Sequence, residues 1–110
     1  MPRVYRPYIP QSLGDLLDLL GMMMLSSPTF VDKTGRFPER NIDTVFQCLS
    51  EGLQNTRGRL GEDRYRKMTA MSDQVRAYFV ADPEDKGDAL KGRELILDME
   101  DLIRGRGPKA

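Results

Sequence analysis

The sequence contains no histidine, no tryptophan and a single cysteine, Cys48. Without histidine the chain lacks the commonest general base, the usual partner of serine and cysteine nucleophiles, and the usual ligand of zinc, copper and haem. One cysteine makes neither an internal disulfide nor a CxxC site, so nothing points to an oxidising compartment. No apolar run approaches the ~18 residues that span a bilayer. The longest, residues 16–25, is broken by Asp18 and Gly21 and follows a proline-rich stretch unlike a signal peptide. These absences set the expectation of a cytoplasmic protein that is not an enzyme, with no catalytic residues, metal, cofactor or membrane contact.

What is present fits a soluble globular chain. It has 110 residues, 39% hydrophobic and 31% charged, with 17 Lys+Arg against 17 Asp+Glu. That length corresponds to a single domain over 1–110, hiding about two-thirds of its unfolded surface.

Residues 1–12 carry Pro2, Pro7 and Pro10 among Tyr5, Tyr8 and Ile9. Prolines so close together forbid a helix and predict an extended arm, which its apolar residues would lay on the domain itself or, as the alternative, on a partner. Ser12 followed by Asp15 marks a helix start. Leu13, Leu16, Leu17, Leu20 and Met24 then recur at helical spacing, with Leu19, Met22, Met23 and Leu25 spreading apolar surface around the circumference as in a buried helix. Pro28 ends it. Residues 29–38 place Phe30-Val31 and Arg36-Phe37 around Asp32-Lys33-Thr34-Gly35, a connector that allows a short β-hairpin.

Asn41 is an N-cap for a second helix, with Ile42, Val45, Phe46, Leu49 and Leu53 on one stripe. Cys48 lies at the stripe's edge and reads as a small buried apolar residue. Residues 56–61 end this helix. A third begins near Glu62, with Tyr65, Met68, Met71, Ser72, Val75, Tyr78 and Phe79 facing inward, and stops at Asp82-Pro83. Asp82-Pro83-Glu84-Asp85 then reads as an N-cap, a first-turn proline and two acids opening a fourth helix. That helix is predicted to run to Arg104 and end at Gly105, with Leu95, Ile96, Met99, Leu102 and Ile103 inside and Gly87 and Gly92 weakening its early turns. The expected fold class is all-α: a compact bundle of about four helices with an extended N-terminal arm and a flexible tail at 105–110.

Charge is balanced overall but unevenly distributed. Residues 57–67 hold five cations (Arg57, Arg59, Arg64, Arg66, Lys67) against two acids, and residues 82–101 hold eight acids against three cations. On the fourth helix Glu94, Asp98 and Asp101 form one acidic ridge, and Leu90 and Leu97 fall beside it, off the inner face. A ridge of this kind suits a basic protein partner, with the charges steering and the leucines anchoring. A solvated face with the leucines covered by another part of the chain explains the same pattern. The basic stretch is the candidate phosphate-binding site of a nucleic-acid-binding or transcription-regulating module, although Tyr65 among its cations faces inward. Adjacent carboxylates such as Glu62/Asp63 point ~100° apart on a helix and cannot act as a catalytic dyad. Asp82, Glu84, Asp85 and Asp88 lack the spacing of a calcium loop.

The segment Asn41-Ile42-Asp43-x-x-Phe46-x-x-Leu49-x-x-Gly52-Leu53 is followed by Leu60-Gly61-x-x-x-Tyr65 and Met71-Ser72-x-x-x-Arg76-x-x-Phe79. Asp82-Pro83-Glu84-Asp85, Gly92-x-x-Leu95 and Met99-Glu100-Asp101-Leu102 complete the series. In outline, over residues 28–103, this arrangement resembles the small cytoplasmic immunity proteins of bacterial contact-dependent growth inhibition and related polymorphic toxin systems. The resemblance implies a protein without a reaction of its own that neutralises one toxin domain, often a nuclease, in a one-to-one complex. The chain departs from the strongly acidic character of many immunity proteins against basic nucleases, because only its fourth helix supplies an acidic surface. The leading expectation is therefore a non-catalytic protein-binding inhibitor, an immunity or antitoxin protein. A homodimer through the Met-rich first helix is a further expectation.

Overall fold

A computed structural model describes residues 9–30 and 41–105 of the chain. All regular structure among the described residues is α-helical: α1 (Leu13–Ser26), α2 (Ile42–Asn55), the single turn α3 (Arg57–Leu60), α4 (Glu62–Ala81) and α5 (Asp88–Ile103). The all-α expectation holds, and α3 is an addition to the four expected helices. Residues 1–8 of the expected arm, 31–38 of the expected hairpin and 106–110 of the expected tail lie outside the described residues. Within reach of the hairpin expectation, Thr29 closes a turn and Phe30 is no strand residue, with φ at +61°.

The starts of α1 and α2 follow from their caps. Ser12 Oγ accepts from the Asp15 backbone N–H at 3.1 Å, and the Asp15 carboxylate accepts from the Gln11 N–H at 3.1 Å. Asn41 Oδ1 accepts from the Thr44 N–H while Thr44 Oγ1 accepts from the Asn41 N–H, both at 3.0 Å. Each pair satisfies two backbone donors that a helix start otherwise leaves open.

The start of α5 requires a correction. Asp82-Pro83 does not open it; the helix begins at Asp88, after a six-residue connection. Asp85 sits in the left-handed region, with φ at +59°, which is incompatible with a helix running through it. Asp82 still caps α5, from a distance. Its carboxylate accepts from the backbone N–H groups of Lys86, Gly87 and Ala89 at 2.8–2.9 Å, and the residue is buried. These donors hold the Asp82 carboxyl below its ordinary value, the Ala89 N–H contributing most and burial opposing it. The far end matches expectation: α5 stops at Arg104, and Gly105 takes φ +77°.

The short connection makes α4 and α5 an antiparallel pair, and α2 packs on α4 while α1 rests on α5 and α2. At the centre lie three phenylalanines from three segments. Phe30 meets Phe79 edge-on at 5.5 Å between ring centroids and Phe46 at 5.9 Å. Around them Leu16, Leu20, Met23, Leu49, Met68, Val75, Ile96 and Met99 are fully buried. Gly92 lets α5 approach α4, because a Cβ there would stand 2.6 Å from Phe79 Cε1. The expected weakness at Gly92 is thus a requirement of the packing. Pro10 lies against Gly52 in the same way, and Asn55 Nδ2 donates to the Pro10 carbonyl at 3.1 Å, which lays the described end of the N-terminal segment on α2.

The expectation of a wholly buried α1 is corrected. Leu16, Leu19, Leu20 and Met23 are buried, Leu17, Met22 and Met24 are half-buried, and Leu25 is 90% exposed. Among the described residues, Leu25 at the last turn of the helix is left outward.

Candidate functional site: the outer face of α5

The inner face of α5 is made by Ala89, Gly92, Ile96, Met99 and Ile103, all buried. At 100° per residue this leaves Leu90, Glu94, Leu97, Asp98 and Asp101 on the opposite side. Leu90 is 54% exposed and Leu97 48%, so neither is covered among the described residues. Glu94 and Asp98 are exposed and Asp101 is half-buried. All five residues that the helical spacing singles out therefore share one face. Lys91 lies at its edge, within 3.5 Å of Asp88.

Beside Asp98, where α5 crosses α4, a slot of about 280 Å³ opens between Lys67, Ala70, Met71, Asp98 and Leu102. Its floor is apolar and its rim carries one cation and one carboxylate. No sequence pattern announces it, because its members belong to two helices and meet only through the antiparallel register of α4 and α5.

The basic stretch is organised differently. Arg57 donates from Nε to Glu62 and stacks 4.4 Å from the Tyr65 ring centroid. Arg66 approaches the second oxygen of Glu62 at 3.5 Å. The Arg57 guanidinium holds the Glu62 carboxyl below its ordinary value, and the same hydrogen bond raises Arg57 further. Arg64 is built into the scaffold. Nε donates to the Leu60 carbonyl at 2.7 Å, Nη2 to Arg59 at 3.0 Å, and Nη1 to Leu102 and Ile103 at 3.0 and 3.4 Å. The guanidinium thus ties the end of α3 to the end of α5, where helix carbonyls run short of N–H donors, Leu102 also accepting from the Gly105 N–H at 3.1 Å. Of the five cations only Arg59 and Lys67 form no ion pair or carbonyl contact through their side chains among the described residues. Lys67 borders the α4–α5 slot.

A second concavity, of about 300 Å³, lies between α2 and α4, with Phe46 and Leu53 beneath Tyr65, Thr69 and Asp73 and an Arg76–Asp43 ion pair across its edge. Its members are spread over both helices, so the sequence pattern does not single it out. No group of three or more potential metal-ligating side chains converges among the described residues. Cys48 is buried, and desolvation, with Glu51 adding to it, raises its thiol above the ordinary value. No helix among the described residues is long and apolar enough to cross a membrane. No family model, no curated protein and no solved structure matches the chain, so its residues and their geometry are what a functional reading rests on.

Proposed function

We propose that this chain is a non-catalytic inhibitor that binds a protein partner and occludes it, an immunity or antitoxin protein acting on a toxin domain in a one-to-one complex. The observation that carries the reading is the pairing of Leu90 and Leu97, each about half exposed, with Glu94, Asp98 and Asp101 on one face of α5. Exposed leucines on a rigid helix supply anchoring area, and the adjacent carboxylates supply steering toward a basic surface. The resemblance of residues 28–103 in outline to immunity proteins suggests a toxin as the partner.

The nucleic-acid reading through Arg57, Arg59, Arg64, Arg66 and Lys67 gains nothing from the geometry. Arg57 and Arg66 share Glu62, and Arg64 is committed to backbone carbonyls. These contacts draw three of the five cations of the stretch toward partners within the chain.

The test has two stages. Tagged protein is purified from its native host, and any stoichiometric protein partner is assayed for toxicity with and without the chain. The Glu94→Lys, Asp98→Lys, Asp101→Lys triple variant is then compared with the parent for association rate and affinity, with circular dichroism confirming the fold. Slower association and at least about tenfold weaker binding are expected. An unchanged affinity removes this face from the proposal, and co-purifying nucleic acid released by salt favours the phosphate-binding alternative.

A further inference from the structure

The α5 face does not end at Asp98. On the side away from Leu90 and Leu97 it runs into the slot between α4 and α5, whose floor is the side of Met71, Leu102 and the methyl group of Ala70. The full surface is therefore an apolar ridge (Leu90, Leu97), an acidic stripe (Glu94, Asp98, Asp101) and an apolar recess, in that order across the helix.

We propose that this surface takes a basic amphipathic helix of the partner, with one large apolar side chain seated in the Ala70–Met71–Leu102 slot and Lys or Arg side chains over the acidic stripe. The inference rests on the reading of α5 as the partner-facing helix and adds to it a second helix, an anchor position and the chemistry of the bound segment. Charge complementarity selects the occupant. Three carboxylates separate the two apolar features, so a segment that spans both brings cations between its apolar positions. Leu90 and Leu97 are two helical turns apart, ~10.5 Å along the axis, which matches apolar residues recurring at i and i+7 on a facing helix. The residue at position 70 sets access: alanine is exposed there and small enough to leave the recess open. Lys67 and Asp98 both border the recess and offset one another in charge, and its lining by Ala70, Met71 and Leu102 assigns it to an apolar side chain.

The full chain is titrated with a synthetic 18-residue helical peptide of leucine and lysine arranged with leucines at i, i+3, i+4 and i+7. The same composition in scrambled order and a leucine–glutamate helix serve as comparisons. Fluorescence anisotropy reads affinity and backbone-amide NMR reads location. Binding is expected for the amphipathic basic helix alone, with shifts clustered at Lys67–Met71 and Leu97–Leu102. Ala70→Trp fills the recess, and Ala70→Arg places a cation in it; each is expected to weaken binding at least about tenfold, since a buried anchor side chain dominates such contacts. Ala70 is on the exposed side of α4, and circular dichroism verifies that both variants fold.

Equal binding of the scrambled peptide, preference for the acidic helix, or shifts elsewhere overturns the proposal. Shifts at the same amides that follow protein concentration without peptide make a second copy of the chain the occupant and also overturn it. If both Ala70 variants bind normally while the Glu94, Asp98 and Asp101 charge reversals abolish binding, the recess is excluded and the α5 face stands. If the charge reversals also have no effect, the reading of that face fails with it.

Discussion

Replacing Gly92 with alanine isolates the close approach of α5 to α4. In an unobstructed helix interior this exchange stabilises by about 1 kcal/mol, because glycine has more backbone freedom to lose. At Gly92 the added Cβ would stand 2.6 Å from Phe79 Cε1 and 3.1 Å from Cδ1 and Cζ. Phe79 is fully buried and bears on Phe30 and Phe46, so displacing its ring disturbs the aromatic cluster at the centre. Overpacking of this kind costs about 1–3 kcal/mol, which cancels or outweighs the propensity gain. A net loss of up to about 2 kcal/mol is expected in urea denaturation monitored by circular dichroism. Gly21→Ala in α1, where nothing lies within 4 Å of the new methyl group, is the reference and is expected to gain up to about 1 kcal/mol. The Phe79→Leu, Gly92→Ala double variant is expected to lose less than the sum of its single changes. Equal stabilisation by Gly92→Ala and Gly21→Ala would refute the packing argument.

Three further outcomes follow from the packing and the caps. Phe30→Ala removes a fully buried ring from the centre and is expected to cost about 3–5 kcal/mol in the same denaturation assay. Asp82 has a folded-state value below its unfolded one, so its contribution is present above the unfolded value and is lost as pH falls through the folded value. Asp82→Asn is therefore expected to destabilise at neutral pH and to flatten the acid side of the stability profile; an unaltered profile would show that the carboxylate's backbone contacts do not matter. Cys48 is buried with a raised thiol value, so a thiol reagent at pH 7 is expected to label it only after urea unfolding, and prompt labelling of the native protein would contradict the packing around α2.

Caps and periodicity were legible without coordinates. Ser12 and Asn41 announce α1 and α2, and 100° spacing places Leu90 and Leu97 outward beside the acids. The start of α5 differs from the sequence expectation because Asp-Pro-Glu-Asp has the local grammar of a helix opening. The same Asp82 carboxylate instead reaches across a turn to Ala89, a geometry that adjacent residue types do not encode. Arg64 looked like a surface cation because its acceptors, the carbonyls of Leu102 and Ile103, are nearly forty positions away. The recess at Ala70 was invisible for the same reason: it exists only in the register between two helices.

The short connection between α4 and α5 also bears on the order in which the molecule assembles. The two helices that form the proposed docking surface are neighbours in the chain, so bringing them together closes a small loop at low entropic cost. By contrast, α1 reaches α5 only across more than sixty residues. Contacts of short sequence separation form early and fast. The proposed docking face can thus be complete in a refolding chain while α1 is still undocked.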